Sequence, residues 1–348
     1  MTIEINGIAI APGEEVFIDL PLPPLYTHEA LSMPVHVING KRDGPRLFVS
    51  AAMHGDEING VDIIRRLLKH EELNANDIRG TLIAIPVVNV YGFITKSRYL
   101  PDRRDLNRSF PGSSAGSMAS RLAHLFVTEI ATQCTHGIDL HTAAEGRENL
   151  PQIRAALTNN EIKKMACAFG APVVKHNASF LEGSMRETAD KLGIPVLLYE
   201  AGEALRFNEL SIRAGVEGVI NVMRAINMLP DHETCLLSKQ PRLTHSSKWE
   251  RATHSGILRT ITPLGERVRE GDLLGIISDP FGEKEEHILS STEGIVIGKS
   301  TLPLVYEGEA LYHIAHFDAP QSIAQSVEDF QQQHDPELYE IPDEPPVK

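Results

Sequence analysis

From Arg46 to Met53 the chain reads RLFVSAAM, a nearly unbroken apolar run that stops at His54–Gly55. The next apolar positions, Ile58, Val61, Ile63–Ile64 and Leu67–Leu68, recur at helical spacing. A second continuous run, Thr81–Asn89 (TLIAIPVVN), has the pattern of a strand covered on both faces. Ser117–Thr132 returns to helical spacing, with Leu122, Leu125, Phe126 and Ile130 on one side and Ser117 placed to cap it. Short apolar runs follow at Gly137–Leu140 and Ile194–Tyr199. The amphipathic segment Asn208–Leu229 then closes at Pro230, a helix stop. Strands alternating with helices predict an α/β fold, a mostly parallel or mixed sheet with helices on both faces.

The texture changes near Thr253. Gly256, Gly265, Gly271, Gly275, Gly282, Gly294, Gly298 and Gly308 punctuate short β-prone runs such as Leu273–Ile277 and Gly294–Ile297, which predicts a small all-β unit ending near Phe317. Beyond it the chain is rich in Gln, Glu, Asp and Pro and ends DPELYEIPDEPPVK, the composition of a mobile or draped tail. The expected division is therefore 1–245 for the catalytic portion, 246–318 for the β unit and 319–348 for the acidic tail.

Composition narrows the function. The 348 residues include 33 Lys plus Arg against 47 Asp plus Glu, a net charge of −14, which disfavours non-specific binding to nucleic acid or an anionic membrane. No stretch reaches the roughly 20 apolar residues of a membrane span, since the longest, around Leu82–Ile94, is broken by Pro86 and Asn89. The start, MTIEINGIAIAPGEE, has neither a basic nor a long apolar region of the secretory type, so a cytoplasmic location is expected. Cys134, Cys167 and Cys235 are far apart and form no CxxC, pointing neither to a disulfide framework nor to a thiolate metal site.

Chemistry concentrates in AAMHGDEING. His54 and Glu57 stand three apart where a strand gives way to a helix. A zinc site that keeps an open position uses three nitrogen or oxygen ligands, often two His and a carboxylate. His141, in GIDLHTA, follows an apolar run and supplies the third; Glu200, in IPVLLYEAGE, occupies an equivalent place. In open α/β sheets ligands bind outside the carboxyl ends of strands, so these strand ends converge on one edge. The HxxE spacing also occurs at His334–Glu337, where no strand precedes it and the segment reads as solvated charge. A second stretch, SRYLPDRRDLNRSFPG, gathers Arg98, Arg103, Arg104 and Arg108 around Asn107. Arginine's planar fork suits a carboxylate ligand, while Asp102 and Asp105 offer the plainer reading of a neutralised charged loop.

HGDE, DLNR with SFPG, DLHT and YEAG, in that order, resemble the succinylglutamate desuccinylase/aspartoacylase family, zinc-dependent relatives of the carboxypeptidases. The resemblance implies His54, Glu57 and His141 as ligands of one Zn²⁺ per chain, Glu200 as general base, and Asn107 and Arg108 as binders of the substrate's carboxylate. Arg98 matches the arginine that polarises the scissile carbonyl. The implied reaction is hydrolysis of the amide bond of a small N-acyl amino acid, with esters cut as well. A carboxypeptidase-like trimming of a peptide or poly-amino-acid tail, or a non-catalytic binding protein on the same fold, stays open, as does a homo-oligomer. ITPLGERVREGDLLGIISDPFG is similar to the barrel-sandwich fold of lipoyl and biotinyl carriers, but Lys284 lies between Glu283 and Glu285, outside a modified-lysine context. The β unit is therefore read as a wall or lid beside the active site, and Trp249 as a packing residue.

Overall fold

The computed structural model describes residues 1–177, 179–230, 242–244, 246–318 and 320–334. Strands β1 (Ile3–Ile5) and β2 (Ile8–Ile10) form a hairpin whose Asn6–Gly7 turn takes positive φ at both residues, as two-residue hairpin turns require. There follow β3 (Glu15–Leu22), β4 (Leu31–Asn39), β5 (Arg42–Ala51), α1 (Asn59–Leu67), β6 (Arg79–Ile85), α2 (Val90–Thr95), α3 (Met118–Glu129) and β7 (His136–Ala143). Next come β8 (Arg147–Ala155), α4 (Asn160–Phe169), β9 (Val173–His176), α5 (Met185–Lys191), β10 (Val196–Glu203) and α6 (Glu209–Ala225). The C-terminal portion holds β11 (Arg242–Thr244), β12 (Ser246–Arg251), β13 (Gly256–Thr260), β14 (Arg267–Val268), β15 (Leu273–Ser278) and β16 (Glu285–Leu289). It ends with β17 (Gly294–Ser300), β18 (Leu304–Val305), β19 (Ala310–His316) and α7 (Pro320–Gln333).

The main sheet runs β12-β19-β17-β8-β10-β7-β5-β6-β4-β3. Its middle, β10-β7-β5-β6, is parallel, and both flanks are antiparallel. The sheet is thus mixed. The run Thr81–Asn89 is strand only to Ile85: Pro86 has no N–H for the ladder, and the Asn89 side chain instead caps α2 by accepting from the Gly92 N–H. Ser117 caps α3 in the same way, through the Ser120 N–H.

Alternation along the strands decides what faces the site. Leu47, Val49 and Ala51 of β5, Ile138 and Leu140 of β7, and Leu197, Tyr199 and Ala201 of β10 join a core shared with α1, α4 and α6. Side chains on a strand repeat every second residue. Ser50, Asp139, His141 and Glu200 therefore fall on the opposite face, the side on which Phe48 packs with α3 and Val196 with α5. Arg154 and Lys175 share that face on β8 and β9, because Ile153, Ala155 and Val174 belong to the first core.

The C-terminal strands form two facing sheets, β16-β15-β13-β18 and the β12-β19-β17 extension of the main sheet. Leu258, Ile277 and Ile288 meet Val296, Leu311 and Ile314 between them. The pairing of β17 with β8, Gly298 opposite Asn149 and Ser300 opposite Arg147, makes this unit continuous with the main sheet. The boundary expected at residue 245 lies outside the described residues, as do Cys235 and positions 335–348. Pro320–Gln333, where composition suggested only a polar tail, is helical. Its apolar residues Ile323 and Val327 stand four apart and pack with Ile295 and Ile297 of β17. Among the described residues no helix is long and apolar enough to cross a membrane.

Because Ile323 is buried at this contact, Ile323→Ala is expected to lower stability by about 2 kcal/mol. The shift of the urea midpoint measures it.

Candidate active site

The turn after β5 is built for close approach. A Cβ on Gly55 would lie 1.9 Å from the carbonyl carbon of Gly92, so only glycine lets this loop rest on α2. The loop then turns back, with the Glu57 N–H donating to the His54 carbonyl at 3.1 Å. Glu57 becomes the centre of a buried cluster. Its Oε1 lies 2.7 Å from His54 Nδ1 and its Oε2 lies 2.7 Å from His141 Nδ1. One ligand atom from each of the three residues fits within 4.8 Å of the others.

The outer nitrogens face carboxylates as well. His54 Nε2 is 3.2 Å from Asp105 Oδ1, and His141 Nε2 is 2.7 Å from Asp139 Oδ2. Asp139 is held in turn by the Ser50 hydroxyl, which donates at 2.8 Å. An outer N–H donating to each Asp leaves the Nδ1 lone pairs turned inward. With the rings neutral in that tautomer, two imidazole nitrogens and two carboxylate oxygens converge as donors. This donor set fits a divalent cation. Without a cation, the surrounding carboxylates favour a proton on each ring instead. Burial opposes charge on His54, but Glu57 and Asp105 outweigh it and raise its pKa above the ordinary histidine value. Burial is likewise outweighed at His141 by Asp139 and Glu57, which raise it well above that value. At Glu57 burial is overcome by the two imidazoles, which hold the carboxyl far below the usual range.

Around this cluster stand the other expected residues. Arg98 grips Asp105 through Nη2 at 2.8 Å and Nε at 3.2 Å, and turns Nη1 to within 3.2 Å of His54 Nδ1. Asn107 is buried, and its Oδ1 accepts from the Met185 N–H at 2.9 Å, while among the described residues no acceptor takes its amide hydrogens. The Arg108 guanidinium donates to the Asn107 carbonyl and lines the cleft. Glu200 sits opposite His141 in the β10–β7 register. Its Oε2 accepts from Asn149 Nδ2 at 2.8 Å and its Oε1 pairs with Arg154 Nη1 at 3.1 Å. His141 and Glu200 lie inside their strands rather than beyond them, so the site opens on a sheet face near the carboxyl ends. Arg103 and Arg104 do not line the cleft, and Arg104 pairs with Asp102 at 3.8 Å in solvent, the plainer of the two readings.

The cleft of about 350 Å³ also takes in residues that sequence reasoning did not select: Asn149, Arg154, Lys175, Arg186 and His313. Trp249, read as a packing residue, stacks on His313 with ring centroids 4.4 Å apart and forms part of the cleft wall. The orienting Asp139 had a signal, since it stands two before His141 and so shares its strand face. Arg154 and Lys175 had none, because β8 and β9 carry no motif. His334, of the second HxxE match, bonds instead to Glu217 of α6 at 3.2 Å; Glu337 lies outside the described residues. The Cys134 thiol, buried under α3, is pushed up to about 12 by burial and is chemically quiet.

The family model described as the succinylglutamate desuccinylase/aspartoacylase catalytic domain matches residues 43–226, more than half of the chain. The chain belongs to this family. Among curated relatives of this desuccinylase/aspartoacylase member is the N-alpha-acetyl-L-2,4-diaminobutyric acid deacetylase of Halomonas elongata, 24% identical over 263 residues, or 72% of this chain and 75% of that protein. Similar solved structures include a succinylglutamate desuccinylase/aspartoacylase from Rhodobacter sphaeroides (TM-score 0.77, 23% identity, 87% of this chain and 96% of that one). The product-bound ectoine utilization protein EutE (DoeB) from Ruegeria pomeroyi is another (TM-score 0.79, 22% identity, 88% and 97% coverage). These likenesses establish the fold as common to such proteins.

Gly55→Ala tests the loop geometry. The clash with α2 is expected to cost about 3 kcal/mol or more, read as a lowered urea midpoint, with a crystal structure of the variant showing His54 displaced from Glu57.

Proposed function

We propose that the chain is a zinc-dependent hydrolase that cleaves the amide bond of a small N-acyl amino acid, releasing a free amine and a carboxylic acid. The buried His54–Glu57–His141 group, with Glu200 on the adjacent strand, is the observation that carries this reading. The name of the Halomonas relative, a deacetylase of an N-acetylated amino acid, supports it.

His54, Glu57 and His141 would hold the ion, which supplies Lewis-acid activation of water and of a carbonyl. Glu200 acts as general base, taking a proton from the attacking water and passing it to the leaving amine. Asn149 and Arg154 fix both of its oxygens and so set the direction of that transfer. Arg98, braced by Asp105, offers Nη1 hydrogens to the oxygen on which negative charge develops. The free amide hydrogens of Asn107 and the Arg108 fork hold the substrate's carboxylate, orienting the scissile bond. Residues 1–245 carry this chemistry in our reading, and 246–318 complete the cleft wall through Trp249 and His313.

Metal analysis should find near one zinc per chain, and His54→Ala should lose it; Asp139→Asn should weaken retention against a chelator by about 10–100-fold. Glu200→Gln is expected to lower kcat by about 10²–10⁴-fold with metal content unchanged. Retained turnover in that variant would reassign the base. Arg108→Ala should raise KM for N-acyl amino acids well above its effect on their carboxamide analogues; an equal effect on both would remove Arg108 from carboxylate binding.

A further inference from the structure

An apolar stripe runs across the surface beside the cleft. Leu302, Leu304 and Tyr306 alternate along the extended segment around β18 and are 52%, 72% and 79% exposed. Val305, between the last two, points the other way into the C-terminal core. Ile257 of β13 is the register partner of Leu304, while its neighbour Leu258 lies in that same core, so Ile257 joins the outward set.

The loop after β10 adds a second length, in which the exposed Leu205 and Phe207 flank Arg206. Glu203 ties the two lengths together. Its Oε1 accepts from the Gly146 N–H at 2.9 Å and from the Thr301 hydroxyl at 3.0 Å, and its Oε2 lies 3.5 Å from Arg206 Nε. Leu302 rests on Gly146, where an added Cβ would come within 2.5 Å of the leucine Cδ1. The loop is also fastened to the metal-site turn, since the Leu205 N–H donates to the Asp56 carbonyl at 2.8 Å. Leu205 is held there at φ 57°, a strained conformation for a leucine, and it still remains exposed.

Single exposed apolar residues are ordinary, but six in one connected stripe mark a contact surface. The charges at its ends say what it contacts. Arg206 stands at one end with its side chain 74% exposed. At the other end stands Glu307, exposed and, among the described residues, with no ion pair or hydrogen bond to its carboxylate. Half a turn about an axis through the middle of the stripe lays Leu205–Phe207 of one copy on Leu304–Tyr306 of another. The same rotation brings Arg206 to Glu307, twice. Such self-complementarity is what a two-fold interface requires. A lipid surface offers no such match, and the net charge of −14 opposes an anionic one.

We infer that this stripe is the contact between two copies of the chain, paired about a two-fold axis with Arg206 of each facing Glu307 of the other. The inference goes beyond the deacylase reading and does not depend on it, because association is measured without turnover. Ala144 and Arg147, which flank Gly146, line the cleft, so pairing sets each copy at the rim of the other's active site.

Sedimentation velocity of the full chain across roughly 1–100 μM, the range of modest interfaces, tests the pairing. A species of two chains is expected. Leu304→Glu should raise its Kd by at least about tenfold, because it would bury an unpaired charge in the contact. The urea midpoint of the dilute variant should match wild type, since Leu304 is exposed in the single chain. Arg206→Glu and Glu307→Arg should each weaken association, and the double variant should restore it by exchanging the charges across the axis. A monomer throughout the range, a dimer indifferent to Leu304→Glu, or a double variant no tighter than the single ones overturns the inference. A monomer that cosediments with phosphatidylcholine vesicles, and loses them on Leu304→Glu, gives the stripe to a lipid surface and overturns it as well.

Discussion

Everything at this site depends on one buried carboxylate. Glu57 brings two imidazoles, which would otherwise stand on separate elements, within hydrogen-bond distance of its two oxygens. A carboxylate so fully buried is tolerable only where positive charge answers it. Aspartates stand behind both histidines, close to their outer nitrogens. The result is a buried cluster in which a donor atom from each of His54, Glu57 and His141 lies within 4.8 Å of the others. The convergence of these donors is a property of the fold itself, set by which residues alternate onto the site face of β7 and by where β5 ends.

That arrangement explains why much of the site was legible in the sequence. His54, Glu57, His141 and Glu200 each follow or close an apolar run, and apolar runs are what a covered central strand must be made of. Asn107 and Arg108 were legible through the DLNR pattern rather than through any periodicity. What stayed hidden lay on the antiparallel flank. Strand β8, RENLPQIRA, mixes charge and apolar residues because one face meets the α4–α6 core and the other meets the cleft and the C-terminal strands. Arg154 and Lys175 become neighbours only through strand pairing, which no local pattern encodes. Helix α7 escaped for a different reason: two buried residues in fourteen are too few to lift a Gln-rich segment above the appearance of a tail.

The C-terminal β unit likewise read correctly as texture and incompletely as architecture. Gly265, Gly271, Gly282 and Gly308 stand at its turns while Gly256, Gly275, Gly294 and Gly298 lie within strands, and its two facing sheets enclose a core of their own. Yet its strands β17, β19 and β12 extend the main sheet instead of sitting beside it. Trp249 and His313, on β12 and β19, thereby face residues from the central strands across one cleft.

The hydrogen-bonded seam between β17 and β8 has a mechanical consequence. A ladder shared by both regions resists shear, so Trp249 and His313 cannot swing away from Glu200 as a hinged cover would without tearing main-chain bonds. On the open side of the cleft, the lining residue Leu181 is exposed. Cutting the chain ahead of β12 would strip β17 from β8 and leave a raw sheet margin, an invitation to self-association. The two regions are one mechanical body, and grafting the C-terminal unit from another member would have to preserve the register of that seam.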